Sequence, residues 1–265
     1  MKRIALGLCL AAVLSLSASC IIAVIDEPMP GEDGTAFNYR KSAPFSEDGT
    51  VSLVNTNGDI RVRGWDEARV EVLAREPGKW SYPRRFRISR ISSLEPDILF
   101  HIQDNAIKLQ CPDDAGEDSV YDFELRVPRA VKIEGIRNGE GTIRVSDIFG
   151  RLEVEAEQGE VQIENFSGSL DVSLEEGNVS AEVLDLRSED EIRIEVGEGD
   201  IEIFLQEPVG ATIEADAENG EVTSGIEFGR PLPGPKLSIK PEGAIGRIIL
   251  KTKSGDIRIR RASGE

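Results

Sequence analysis

From Val51 onward, apolar and polar residues take turns along the chain. Val51 and Leu53, Ile60 and Val62, and Val70 and Val72 each flank a polar position. Phe86 and Ile88, then Phe123, Leu125 and Val127, continue the pattern. Side chains of a strand point to alternate faces, so a period of two marks half-buried β-structure. No long window keeps a helical period. The pattern predicts an all-β chain.

From Gly141 the alternation acquires a second, longer period. Gly141, Gly150, Gly159, Gly168 and Gly177 follow one another at equal spacing, and related turns recur at Gly58, Gly199, Gly220 and Gly255. Two and four residues after each of the first five stands an apolar pair: Ile143 and Val145, Leu152 and Val154, Val161 and Ile163, Leu170 and Val172, Val179 and Ala181. Each segment therefore reads as a strand of about five residues closed by a glycine turn. Alternate segments differ in kind. Ile148, Phe166 and Leu184 close one set with a bulky apolar corner, whereas Glu157 and Glu175 close the other with an acidic one. The repeating unit is therefore two segments long.

Two unequal strands per unit predict a β-solenoid, like a β-helix, with about 18–22 residues per coil and two short strands in each. An antiparallel meander or β-sandwich is the rival, because Asn57-Gly58 and Asn219-Gly220 are hairpin-turn dipeptides. The solenoid is preferred because a meander of such short strands needs a covering layer, and residues 151–183 offer no helix for it.

The N-terminus is of another kind. Met1-Lys2-Arg3 precedes an apolar run from Ile4 to Leu16, then Ser17-Ala18-Ser19-Cys20. The run suits a signal-peptide core and is short for a membrane span. The small residues before Cys20 resemble a lipoprotein lipobox, with Ser17 where that motif prefers Leu. Acylation of Cys20 and an ordinary secretory cleavage near Ala18 or Ser19 are the two readings. The first divides the chain into a signal peptide (1–19), a tether (20–45) rich in Pro and Gly, an N-terminal β-rich part (46–130) and the glycine-punctuated repeat (131–262). It makes the mature protein exported and lipid-anchored to the cell membrane or outer membrane. Cys111 is then the one remaining thiol, so no internal disulfide framework is expected.

Composition adds a constraint on partners. The chain has 49 acidic and 31 basic residues, for a formal net charge of −18. Such a chain is repelled by phosphate backbones and by anionic membrane surfaces, which argues against nucleic acid as a partner.

Three segments carry a family likeness: Val51 to Ala74 (VSLVNTNGDIRVRGWDEARVEVLA), Tyr121 to Gly135 (YDFELRVPRAVKIEG) and Lys253 to Arg260 (KSGDIRIR). Together they resemble a widespread bacterial domain family of unknown function described as a putative adhesin. The resemblance extends from Phe45 to Arg261. It implies a repetitive β-structure on an exported or membrane-tethered protein. It brings no catalytic or binding residues with it.

Candidate chemistry is sparse. His101 is the one histidine, set between Phe100 and Ile102, so a Ser-His-Asp or Cys-His arrangement would have to use it. Multi-histidine zinc sites and thiolate clusters are excluded. Gly139-Glu140-Gly141 and Gly197-Glu198-Gly199 lack the third glycine and the following helix that a dinucleotide site needs. The corners do gather acid: Glu157, Glu160, Glu175, Glu176, Glu198, Asp200, Glu218 and Glu221. Stacked at the strand spacing of about 4.8 Å, like charges would repel by about 0.8 kcal/mol per pair in a water-like dielectric. Weak Ca²⁺ binding along this edge is one way to relieve that. Glutamates fanning into water and blocking edge pairing is the other, and it is favoured. The basic, aromatic stretch from Trp80 to Arg90 suits either a sugar- or polyanion-binding strand or a strand with one wet face.

Three functions fit these observations. The first is a non-enzymatic cell-envelope lipoprotein acting as a surface scaffold or adhesion module toward a protein or polysaccharide. The second is a carbohydrate-active enzyme on a β-helix, whose two carboxylates would be hidden among many. The third is an envelope regulatory module that binds a protein through an open solenoid end.

Overall fold

The structure, a computed structural model, describes residues 29–30, 36–37, 39–76, 98–111, 119–187, 189–206, 209–226 and 234–262. Cys20, residues 1–19 and the Trp80–Arg90 stretch lie outside the described residues. In chain order the first strands are β1 (Met29–Pro30), β2 (Ala36–Phe37), β3 (Tyr39–Pro44), β4 (Thr50–Asn57), β5 (Ile60–Trp65) and β6 (Arg69–Arg75). Next come β7 (Leu99–Gln103), β8 (Ala106–Gln110), β9 (Asp122–Pro128), β10 (Lys132–Ser146), β11 (Leu152–Ser167) and β12 (Leu170–Asp185). The chain ends with β13 (Glu191–Glu198), β14 (Ile201–Leu205), β15 (Ala211–Asn219), β16 (Val222–Ser224), β17 (Lys236–Ile239), β18 (Gly246–Ser254) and β19 (Ile257–Arg261). There is no helix among the described residues. Apart from β1 and β2, the strands form one mixed sheet of 17.

Parallel pairing organises that sheet into tiers. In spatial order they are β8 with β9, β4 with β5, β10, β11, β12, β13 with β14, β18 with β19, and β15 with β16. Between β10, β11 and β12 the offset is 18 residues, as in the pair Arg137 and Glu155. From β12 to the next tier it is 22. The repeat is thus paired in parallel, and the hairpin meander is not its arrangement. Neither Asn57-Gly58 nor Asn219-Gly220 closes a hairpin, because β4 and β5, like β15 and β16, pair with neighbouring tiers rather than with each other.

Strand length also departs from expectation. Strands β10, β11 and β12 run 15 or 16 residues without a break, bending at Gly141, Gly159 and Gly177. The corner residues keep extended pairing because their neighbours above and below bend at the same place. Elsewhere the same corner splits a tier into two strands.

The core follows from register. One inward column reads Ile107, Val51, Ile133, Leu152, Leu170, Ile192, Ile248 and Ile213 from tier to tier. Beyond the corner a second reads Phe123, Ile60, Ile143, Val161, Val179, Ile201, Ile257 and Val222. All are buried and belong to one apolar cluster. Each fully buried aliphatic contributes roughly 1.5–3 kcal/mol, so the columns stabilise a body whose one described cysteine, Cys111, is free. Ile148 and Phe166 also close the far corner from within. In the next tier Val183, not Leu184, stands opposite Phe166, because the register slips after Ile163.

Both ends of the stack depart from chain order. At one end the chain leaves β5, builds the outermost tier with β8 and β9, then returns to lay β10 inside it. At the other, β15 and β16 are outermost and β18 with β19 slot in beneath them. Antiparallel strands then border the terminal tiers: β7 on β8, β6 on β9 with β3 beyond it, and β17 on β15. A bare parallel edge is a template for further pairing, and these strands cover it.

Candidate functional site

The corner glycines stand directly on one another. A Cβ on Gly159 would lie 2.0 Å from the carbonyl oxygen of Gly141, and one on Gly177 would lie 1.7 Å from that of Gly159. The same closeness links Gly58 to Gly141, Gly177 to Gly199, Gly199 to Gly255 and Gly255 to Gly220. Gly159 and Gly177 also have φ of 134° and 133°, a region that side chains rarely enter. One glycine ladder thus runs from the β4–β5 tier to the β15–β16 tier, and in the outermost β8–β9 tier Gly58 stands on the Tyr121 carbonyl. Gly150 and Gly168 belong to the opposite corner, where Gly168 meets the carbonyl of Gly150 and the ladder goes no further toward β13.

Next to the glycines runs a ladder of short side chains. Asp122 Oδ1 accepts the backbone N–H of Asp59 (2.9 Å), and Asp59 Oδ1 accepts that of Thr142 (3.0 Å). Asn178 takes the N–H of Asp200 (2.9 Å), Asp200 that of Asp256 (2.8 Å), and Asp256 that of Glu221 (3.1 Å). Asp and Asn have the reach to cap a neighbouring amide locally. At the two intervening positions, Thr142 and Glu160, no such bond forms between side chain and next tier. Periodicity alone missed this ladder. The available signal was the recurring Gly-Asp of Gly58-Asp59, Gly199-Asp200 and Gly255-Asp256.

Inside the corner, buried polar groups serve the carbonyls of the corner residues, Tyr121 and two of the glycines. Asn55 donates to Tyr121 O (3.0 Å), Asn138 to Gly58 O (3.1 Å) and Thr252 to Gly199 O (2.9 Å). Cys111 belongs to the same column. Its thiol donates to Asn55 Oδ1 at 2.8 Å, and burial pushes its pKa up to about 12. A thiol held protonated in the core is no nucleophile at neutral pH. His101 is exposed on the edge strand β7, with Nε2 3.4 Å from Gln103 Oε1.

The eight acidic candidates separate into several settings. Glu157 and Glu175 are exposed and line an open groove of about 730 Å³, together with Arg137, Glu140, Glu155 and Gln158. Glu176 and Glu198 are paired rungs of the column Glu140, Gln158, Glu176, Glu198, Ser254. Neutral residues flank that single carboxylate pair, and Gln158 Nε2 donates to Glu176 at 3.3 Å. The column therefore escapes most of the expected repulsion. Glu160, Glu218 and Glu221 are exposed elsewhere along the corner. Asp200 is occupied: the Asp256 N–H and then the Arg258 guanidinium hold its carboxyl below the usual range. Among the described residues, no three His, Cys, Asp or Glu side chains come together as metal ligands.

The outward charges of the first face are ordered by tier. One column reads Arg137, Glu155, Ser173, Glu195, Lys251, Asp216, Lys236. Ion pairs close at 2.6 Å (Arg137 with Glu155), 3.1 Å (Lys251 with Glu195) and 2.7 Å (Lys236 with Asp216). At the N-terminal end, Glu71 and Glu124 are buried, an arrangement the alternation of β6 and β9 did not announce. Arg40 and Arg126 reach Glu71, and Arg126 also reaches Glu124 at 2.9 Å.

Fold and site together define a class: a tiered all-β protein whose polar ladders serve the backbone. Residues 132–260 match the family described as Toastrack DUF4097. No curated protein matches the chain. Among solved structures, it is similar to a putative cell adhesion protein from Clostridium sporogenes, at 14% identity and a TM-score of 0.45, over 84% of this chain and 99% of that one. It is also similar to a putative adhesin from Bacteroides fragilis, at 9% identity and a TM-score of 0.33, over 83% and 95%. A third, a putative lipid binding protein from Parabacteroides distasonis, has 11% identity and a TM-score of 0.31, over 84% and 94%.

Proposed function

We propose that the protein is a non-enzymatic cell-envelope lipoprotein, anchored through Cys20, whose tiers act as a β-solenoid scaffold for adhesion or binding. The observation that carries this reading is the glycine ladder running from Gly58 to Gly220. It locks successive tiers into one stiff column and leaves the outward faces to display charge. The buried Cys111 and the lone exposed His101 favour binding over covalent catalysis.

Two measurements test it. Cys20→Ala is expected to move the protein from the membrane fraction to the soluble fraction; unchanged retention would remove the anchor. The purified protein is expected to leave bacterial and plant polysaccharides at full length. Depolymerisation abolished by Glu157→Gln or Glu175→Gln would replace this reading with the carbohydrate-active one.

A further inference from the structure

Among the described residues, four strands of the large sheet have a single partner strand, and three of these edges are guarded. Strand β3 carries Arg40, Lys41 and Pro44, while β17 begins at Lys236 and is followed by Lys240 and Pro241. Strand β16 is three residues long, and its Val222 N–H donates to Gly234 O at 2.8 Å. Charge, proline and brevity keep an edge from pairing with another chain. Strand β7 uses none of the three. Its Leu99-Phe100-His101-Ile102-Gln103 holds no acid, lysine, arginine or proline, in a chain of net charge −18.

The backbone of β7 is set for a further strand. Asp104 and Asn105 have φ of 50° and 58°, a two-residue hairpin turn that makes Gln103 and Ala106 its closing pair. Hydrogen-bonded pairs alternate along an antiparallel ladder, so Leu99, His101 and Gln103 direct their amides to β8. Phe100 and Ile102 turn theirs outward. The side chains of these two residues end the inward columns: Phe100 follows Ile136, Leu53 and Leu109, and Ile102 follows Ile133, Val51 and Ile107. Those inner rungs are all buried, whereas Phe100 and Ile102 are half-buried against the core. On the outer face Leu99 is 57% exposed.

We propose that β7 is a homodimer edge, pairing antiparallel with β7 of a second copy about a two-fold axis at His101. The strand is complementary to itself. Centred there, Phe100 exchanges both main-chain hydrogen bonds with Ile102 of the partner subunit, and Ile102 does the same with the partner's Phe100. Each contact also sets an aromatic against a β-branched side chain, a favourable cross-strand pair. On the outer face Leu99 lies over Gln103 of the partner subunit, and the two His101 side chains meet at the axis. Two copies of a strongly acidic chain repel one another, and β7 itself brings no formal charge to the contact. An isologous contact of this kind closes as a dimer and does not grow into a fibre. Five residues make a small interface, so the pairing is weak and depends on concentration. The proposal goes beyond the scaffold reading and does not need the lipid anchor.

Sedimentation of the purified full-length protein from about 5 to 500 µM tests this, with a reversible monomer–dimer equilibrium expected. His101→Lys and His101→Glu each place like charges opposite one another at the axis. Each should weaken the dimer at least about tenfold with unchanged melting temperature. An equimolar mixture of the two variants should restore pairing, because lysine then meets glutamate. Ser238→Lys, on β17 at the other end of the stack, should leave the equilibrium unchanged. Monomer at every concentration overturns the proposal. A dimer of undiminished strength in both His101 variants places the contact on another surface and overturns this edge. A mixture that stays monomeric where the wild type pairs overturns the register centred on His101. The Cys20→Ala fractionation decides the anchor separately, so either reading can fail alone.

Discussion

The two corners of the tiers are built on different rules. At the first, glycine follows glycine from Gly58 to Gly220 and the tiers from β4–β5 to β15–β16 bend at the same place. At the second, only Gly150 and Gly168 stack, and non-glycine residues take the left-handed backbone: Asp147 at φ 59° and Asn165 at 52°. There Asn165 Nδ2 donates to Asp147 Oδ1, and Arg129 reaches the same carboxylate at 3.1 Å. Where backbones touch, only a missing side chain will do. At the second corner the close approaches are Gly64 to the Asp147 carbonyl and Gly168 to that of Gly150, and polar side chains with the buried Ile148 and Phe166 hold the turn.

The largest effect should separate these corners most sharply. Gly177→Ala puts a Cβ 1.7 Å from the Gly159 carbonyl at a φ of 133°. Backbone strain of about 1–3 kcal/mol adds to an overpacking cost of similar size, because both adjoining tiers must part. A loss on the order of 5 kcal/mol is expected in chemical denaturation. Gly234→Ala, where a Cβ meets nothing within 4 Å, should change stability by less than about 0.5 kcal/mol. Similar losses at both positions would refute the ladder.

At the second corner the bulky plug matters more than the turn. Phe166 is fully buried, and Phe166→Ala should cost about 3–5 kcal/mol. If the cost is below about 1 kcal/mol, that corner is not held from within.

This contrast also explains what could be read in advance. The first corner was legible, since Gly141, Gly159 and Gly177 are fixed by contact and their spacing sets the offset of 18 residues. The detours at the two ends were not. Nothing local distinguishes Ile248 stacking on Ile192 from Ile213 doing so, because each offers the same aliphatic to the same column. Asn57-Gly58 misled as a hairpin signal, because a stacked corner and a hairpin ask the same backbone freedom of glycine. At the acidic edge, composition listed the carboxylates, but only pairing shows Asp200 capping an amide while Glu157 faces an open groove.

The side-chain ladder gives a smaller, two-part prediction. Asp200→Ala removes an acceptor from the Asp256 N–H and a partner from Arg258, and should cost about 1 kcal/mol. Asp200→Asn keeps the first and should recover most of the loss. The carboxyl of Asp200 is held low in the folded state, so its contribution is present above the unfolded carboxylate value near 4 and fades as pH falls below it. With the side chain 39% exposed, solvent screening keeps the pH-dependent part small. Wild type and Asp200→Asn should therefore converge in melting temperature as pH drops from about 5 to 3. Curves that stay parallel would mean the charge adds nothing.

The smallest effect tests whether the ladder can be completed. Glu160, like Thr142 one tier before it, lies between the capping Asp59 and Asn178, and its longer side chain is exposed and caps nothing. Glu160→Asn places an amide oxygen at the height from which Asp59 and Asn178 already reach the next backbone N–H. A new bond there, to the N–H of Asn178, should raise stability by about 0.5–1 kcal/mol, with a further small gain from removing one charge of an acidic corner. Glu160→Gln removes the same charge but keeps the longer side chain, so it isolates the second contribution. If Asn and Gln stabilise equally, charge alone is responsible and the capping rule does not extend to this tier. If Asn exceeds Gln, the corner obeys one rule along its whole length, and Thr142→Asn should repeat the gain toward Glu160 one tier earlier.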